Sequence, residues 1–182
     1  YCFARPTHAY LGMSPGLDFE SKIFAKPDAA VLLEKELRAR SYRCRMMAMG
    51  TNTDPYQPLE RTYKITRGIL EVLSRFLHPV GIVTKSALIT RDIDILGPMA
   101  AQDLAKAALS VTSLDPALAR KMEPRASTPS RRLEAIRKLS AAGIQTAVMA
   151  APLIPGLNDH ELESILEAAK EAGVDMPITD AV

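Results

Sequence analysis

Short apolar runs alternate with stretches of helical periodicity along the chain. The runs cover residues 23–25, 44–49, 80–83, 105–111 and 144–149, and helical segments follow them. Residues 29–40 are the clearest helix: Asp28 stands where an N-cap belongs, and Val31, Leu32, Leu33 and Leu37 follow at helical spacing. Further helices are predicted over 59–77, 91–99, 116–120, 130–142 and 161–172, with Gly143 and Gly173 just past the last two. A Gly/Pro/Ser-rich loop at 13–16 precedes the series.

Strands that alternate with helices of this length define repeated βα units around a parallel sheet, an α/β fold. The runs lack clean period-two alternation, as expected of strands covered on both faces. No repeat or linker is visible, so residues 1–182 read as one domain. A closed eight-unit barrel typically needs about 250 residues. A chain of 182 residues holds about five or six units, which predicts a partial barrel or an open sheet.

Composition narrows the class. The chain is 47% hydrophobic and 24% charged, enough for a sizeable core and unlike a disordered tail. No apolar run approaches the roughly 18–20 residues of a membrane-spanning helix. A net charge of +2, from 23 basic and 21 acidic residues, sets up no whole-chain field for nucleic acid or membrane. Two cysteines, Cys2 and Cys44, are too few for a disulfide framework and fit a reducing, cytoplasmic setting. The chain opens on Tyr1 with no basic-then-apolar leader, and it closes abruptly through Met176-Pro177-Ile178; it reads as a fragment at both ends.

In parallel βα architectures the ligand sits at the carboxyl ends of the strands, where the βα loops converge. Those loops carry Gly50-Thr51-Asn52-Thr53-Asp54, Thr84-Lys85-Ser86, Ser110-Val111-Thr112-Ser113 and Pro152-Leu153-Ile154-Pro155-Gly156-Leu157-Asn158-Asp159. Lys85, directly after an apolar run, is placed to hold a carboxylate or phosphate; the alternatives are snorkelling to solvent or a structural pair with Asp54 or Glu123. Hydroxyls at such positions commonly stabilise turns or cap helices. Glu123-Pro124-Arg125 reads either as a charged pair locking a loop or touching a ligand, or as an ordinary surface ion pair. His8, His78 and His160 show no metal-ligand spacing, and phosphate-loop, dinucleotide and nucleophile-elbow motifs are absent. Cys44, at the start of an apolar run, reads as a small hydrophobe. Cys2 lies in a loop between aromatic residues, where packing explains it less well.

Tyr1-Cys2-Phe3 resembles the end of the Cys-x-x-x-Cys-x-aromatic-Cys motif of the radical S-adenosylmethionine (SAM) enzymes, with Tyr1 as the aromatic residue and Cys2 as the third cysteine. Residues 51–58, Thr84-Lys85-Ser86, Glu123-Pro124-Arg125 and residues 152–159 resemble the spore-photolyase-like branch of that superfamily. The resemblance implies a partial (β/α)6 TIM-like barrel, truncated at both ends, that binds a [4Fe-4S] cluster and SAM. One-electron reduction there splits SAM to a 5′-deoxyadenosyl radical, which abstracts hydrogen from a substrate, and the protein supplies placement and exclusion of water. It further implies Cys2 as an iron ligand, Tyr1 packed near the adenine, and Thr53, Lys85 and Ser110 as SAM contacts, with Lys85 suited to the carboxylate. Pro152, Leu153 and Ile154 fall at the adenine. The partners implied are a substrate of unknown identity, DNA or RNA among the candidates, and an electron donor such as flavodoxin or ferredoxin.

The departures are specific. The chain holds one of the three motif cysteines, and Phe3 and Thr51 stand where spore photolyase has a tyrosine and a hydrogen-donating cysteine, which counts against thymine-dimer repair. Two other readings compete with the enzyme: a non-catalytic barrel binding a nucleotide or nucleic acid through Lys85, Arg125, Arg131 and Arg132, and a metal-free βα enzyme with a phosphate site at Lys85.

Overall fold

The computed structural model describes residues 2–174 and 176–178. Among them five strands, β1 (Met47–Met49), β2 (Val80–Thr84), β3 (Ala105–Ser110), β4 (Gln145–Met149) and β5 (Met176–Ile178), form one sheet. All neighbours are parallel and lie in chain order. Successive crossovers of one hand put the helices on one face and let the sheet curl, whereas a doubly wound sheet reverses its order. The result is the arc of a partial βα-barrel, as predicted.

The helices are α1 (Leu17–Ser21), α2 (Ala29–Leu37), α3 (Glu60–Tyr63), α4 (Ile65–Arg75), α5 (Ile93–Ala100), α6 (Pro116–Met122), α7 (Pro129–Ala141) and α8 (Leu162–Glu171). Their apolar stripes face the sheet: α4 buries Leu70 and Leu73, α7 buries Ala135, Ile136 and Leu139, and α8 buries Ile165 and Ala169. These meet Val80, Ile82, Leu109 and Val148 in one core. His78 belongs to this packing. It is buried, its Nδ1 donates to the Pro79 carbonyl at 3.0 Å, and its Nε2 accepts from the Tyr42 hydroxyl at 2.6 Å, so both ring nitrogens are satisfied.

Several local expectations need correction. Residues 23–25 form no strand; Ile23 and Phe24 are exposed, and the Phe24 ring lies 6.2 Å from that of His8. In α2 only Leu33 and Leu37 pack on the core, while Val31 and Leu32 face solvent. Asp28 holds the N-cap position without making a capping bond. The helix expected over 59–77 is broken at Lys64, whose φ of 51° is left-handed. Glu60 then caps the new start, accepting from the backbone N–H of Thr66 at 3.0 Å and of Arg67 at 3.2 Å. Cys44 is exposed and precedes β1, so it is not a core residue.

One glycine is required by the rim itself. Gly50 ends β1 with φ +98°, and a Cβ there would lie 2.0 Å from the Val83 carbonyl oxygen of β2. Gly50→Ala is therefore expected to cost at least about 1–3 kcal/mol from backbone strain alone. A urea midpoint unchanged from wild type would refute this.

Candidate functional site

The carboxyl ends of β1 to β4 form one rim, and buried polar side chains tie its loops together. Asp54, in the loop after β1, accepts from the Thr84 hydroxyl at 2.6 Å and from the Lys85 N–H at 2.8 Å, and its own loop closes through Tyr56 N–H at 2.8 Å. The Lys85 ammonium reaches in the other direction, 3.3 Å from Glu123 Oε1. Glu123 Oε2 in turn meets Arg132 Nη2 at 2.5 Å. Arg132 is almost wholly buried and completes its fork on the carbonyls of Ser110, at 2.8 Å, and Ser127, at 2.7 Å. The α7 stripe thus delivers one charged residue to the underside of the rim. Glu123 pairs with Arg132 and Lys85, so the ordinary surface pair within Glu123-Pro124-Arg125 is not what forms. Arg132 is likewise unavailable to nucleic acid.

The loops after β3 and β4 are joined by the fully buried Asn158. Its Nδ2 donates to the carbonyls of Thr112, at 2.7 Å, and Pro152, at 2.9 Å, while its Oδ1 accepts from Ile154 N–H at 2.7 Å. Glu161 adds a second tie, accepting from the Ser113 hydroxyl at 2.7 Å and Leu114 N–H at 2.6 Å. Asn158→Ala would strand two buried carbonyls and an N–H, and a loss of about 1–3 kcal/mol is expected in urea unfolding; an unchanged midpoint would refute the clamp. Within this loop pair, Thr112 Oγ1 is a buried hydroxyl with no partner among the described residues. Such a group invites a ligand atom or water.

A third network stiffens the β1 and β2 side. Buried Asp92 accepts from the Tyr56 hydroxyl at 3.0 Å, from Arg67 at 2.9 Å and from Arg91 at 2.8 Å, and Arg91 also reaches Glu60 at 2.8 Å. Burial, reinforced by the Asp92 carboxylate, pushes the Tyr56 phenol far above its ordinary value. Tyr56 is therefore a neutral donor and a fixed wall of the rim.

The residues expected to bind the cofactor sit on this frame. Lys85 and Ser110 lie at adjacent strand ends, and residues 152–154 form the loop that Asn158 grips, entered by a cis bond between Ala151 and Pro152. Thr53 is exposed and accepts from the Gln57 amide at 2.5 Å. Tyr1 lies outside the described residues. Cys2 is an exposed free thiol in the segment leading to Arg5, which pairs with Glu20, and Arg125 donates to the Glu20 carbonyl. The Arg5 hydrogen bond holds the Glu20 carboxyl below its ordinary range. Among the described residues no three His, Cys, Asp or Glu converge to hold a metal. Cys2 alone does not make the donor set of a cluster. SAM fits better, because the rim offers an ammonium, a serine and an unpartnered hydroxyl beside a half-buried Pro-Leu-Ile loop. Sequence reasoning missed Asn158, Glu161, Asp92 and Thr112; Asn158 lay within a motif already singled out, without a role.

Fold and rim together define a partial βα-barrel with a polar rim at its strand ends. The profile of the radical SAM superfamily matches residues 1–169, and the chain belongs to that superfamily. An uncharacterized protein of Mycobacterium tuberculosis is 41% identical over 175 residues, 95% of this chain and 52% of its own length. The chain thus spans about half the length of the curated relatives it matches. The fold is shared with Streptococcus suis SuiB bound to S-adenosylmethionine, at a TM-score of 0.62 and 18% identity over 87% of this chain and 34% of that one. It is shared too with spore photoproduct lyase holding a dinucleoside spore photoproduct, at 0.60 and 19% over 96% and 48%. No helix among the described residues is long and apolar enough to cross a membrane.

Proposed function

We propose that residues 1–182 are the single core domain of a radical SAM enzyme and that their rim binds SAM. Lys85 holds the SAM carboxylate, Ser110 and Thr53 contact its polar groups, and Pro152, Leu153 and Ile154 cover the adenine. Cys2 contributes one thiolate to an iron-sulfur cluster. When bound, the cluster and SAM supply the radical chemistry, with electrons from a flavodoxin- or ferredoxin-type donor in a cytoplasmic setting. The chain's own residues bind, orient and shield. The observation that carries this reading is Lys85 at a strand end, its backbone N–H held by Asp54 and its ammonium facing Glu123, beside the loop pair locked by Asn158.

The substrate is a separate matter. SuiB has been seen with a precursor peptide and spore photoproduct lyase with a dinucleoside lesion, so substrates of very different chemistry meet this fold. Phe3 and Thr51 offer no facile hydrogen donor, which favours a reaction other than dimer repair. Calorimetric titration of the chain with SAM tests the binding role. Saturable binding is expected, and its absence would overturn the reading.

A further inference from the structure

Cations beneath the rim are paired with carboxylates: Asp92 and Glu60 face Arg67 and Arg91, and Glu123 faces Lys85 and Arg132. One cavity departs from this. It has a volume of about 290 Å³, near the lower end of ligand sites, and opens between the loops after β1 and β2 and the start of α7. Arg61, Arg125 and Arg131 line it with Ser86, Ser127 and Thr128, and no carboxylate does. Among the described residues none of these three guanidinium groups forms a direct ion pair with a carboxylate. Arg125 donates to the Glu20 carbonyl, and its charge also helps hold the Glu20 carboxyl low, whereas Arg61 and Arg131 have no such neighbour among the described interactions. Three like charges around a small volume repel one another unless an anion joins them.

The walls are built independently of any ligand. Tyr56 is fixed on Asp92. Ser127 accepts from Ala87 N–H at 2.8 Å and donates its own N–H to the Lys85 carbonyl at 3.1 Å. Thr128 begins the 13-residue α7 without capping it, its hydroxyl lying 3.3 Å from that of Ser130. The positive end of the helix is therefore left open at the cavity edge.

We infer that this cavity is a subsite for a phosphoryl group. A planar carboxylate is satisfied by one guanidinium fork, whereas a tetrahedral dianion accepts from several directions, as three arginines and neighbouring hydroxyls require. The subsite is separate from the SAM reading, since Lys85 does not line it. It requires neither cluster nor SAM.

The test is calorimetric titration of the full chain with pyrophosphate, alongside Arg61→Ala, Arg131→Ala and, as a control, Arg137→Ala, whose exposed side chain pairs with Glu134. Each cavity variant is expected to bind roughly tenfold or more weakly, with the control unchanged. A nucleoside monophosphate and an oligonucleotide with only internal phosphodiesters then separate the sources: preference for one assigns the phosphoryl group to a free ester or to a strand. Thermal unfolding at the wild-type midpoint establishes that the variants are folded. No saturable pyrophosphate binding by wild type, or equal binding by all variants, overturns the proposal. A parallel SAM titration keeps failure here distinct from failure of the SAM reading.

Discussion

Arg132→Met is expected to destabilise the chain by about 3–5 kcal/mol, because it removes one partner of a buried ion pair and leaves the other charged. The side chains of Arg132 and Glu123 are only 1% and 4% exposed, and both close on protein groups. Without the guanidinium, Glu123 loses its closest counter-charge, and the carbonyls of Ser110 and Ser127 lose a donor. Removing both charges is a different perturbation, since two apolar side chains of similar volume leave no orphaned charge. Arg132→Met with Glu123→Leu should thus recover much of the loss, giving a large coupling in a double-mutant cycle. Urea unfolding checks both. A single-variant loss below about 1 kcal/mol would show that the pair is effectively solvated.

The same pair separates the two kinds of cation at the rim. Arg132 serves the fold and holds Glu123 where it faces Lys85. Arg61 and Arg131 are exposed at the cavity edge. Net charge cannot distinguish these roles, because +2 is the sum of buried matched groups and exposed unmatched ones.

What could be read from the sequence follows contrast along the chain. Residues 80–83, 105–111 and 144–149 are apolar runs flanked by helices, and each contains or overlaps a strand, although only β3 is buried nearly throughout while β2 and β4 alternate buried with partly exposed positions. Residues 23–25 have the same look over three positions, too short to specify a strand, and stay exposed, with only the Phe24 ring near that of His8. β5 escaped for the converse reason: it is three residues long with Pro177 at its centre. The rim position of Lys85 was legible because it directly follows the apolar run of β2. The clamps were not, since Asn158 to Thr112 and Glu161 to Ser113 join residues more than forty positions apart. A polar residue in a loop looks the same whether it meets water or a distant carbonyl.

Lys85→Met is expected to weaken SAM binding by roughly 10–150-fold, the worth of about 1.5–3 kcal/mol for a hydrogen bond to a charged group. Its effect on stability should be small. The Lys85 side chain is 32% exposed, and losing it leaves Glu123 still held by Arg132, so a cost of no more than about 1 kcal/mol follows after solvent screening. Affinity and stability therefore move apart for Lys85, whereas Arg132→Met lowers stability first. Lys85→Arg keeps the charge and should retain part of the affinity, with a geometry less suited to a point contact. Raising salt should weaken wild-type binding more than that of the methionine variant, because the ammonium is partly exposed and screened. Calorimetry at two ionic strengths, paired with urea unfolding, reads all of these outcomes. Unchanged SAM affinity in Lys85→Met with a lowered midpoint would make Lys85 a structural partner of Glu123 and remove the carboxylate contact from the proposed site.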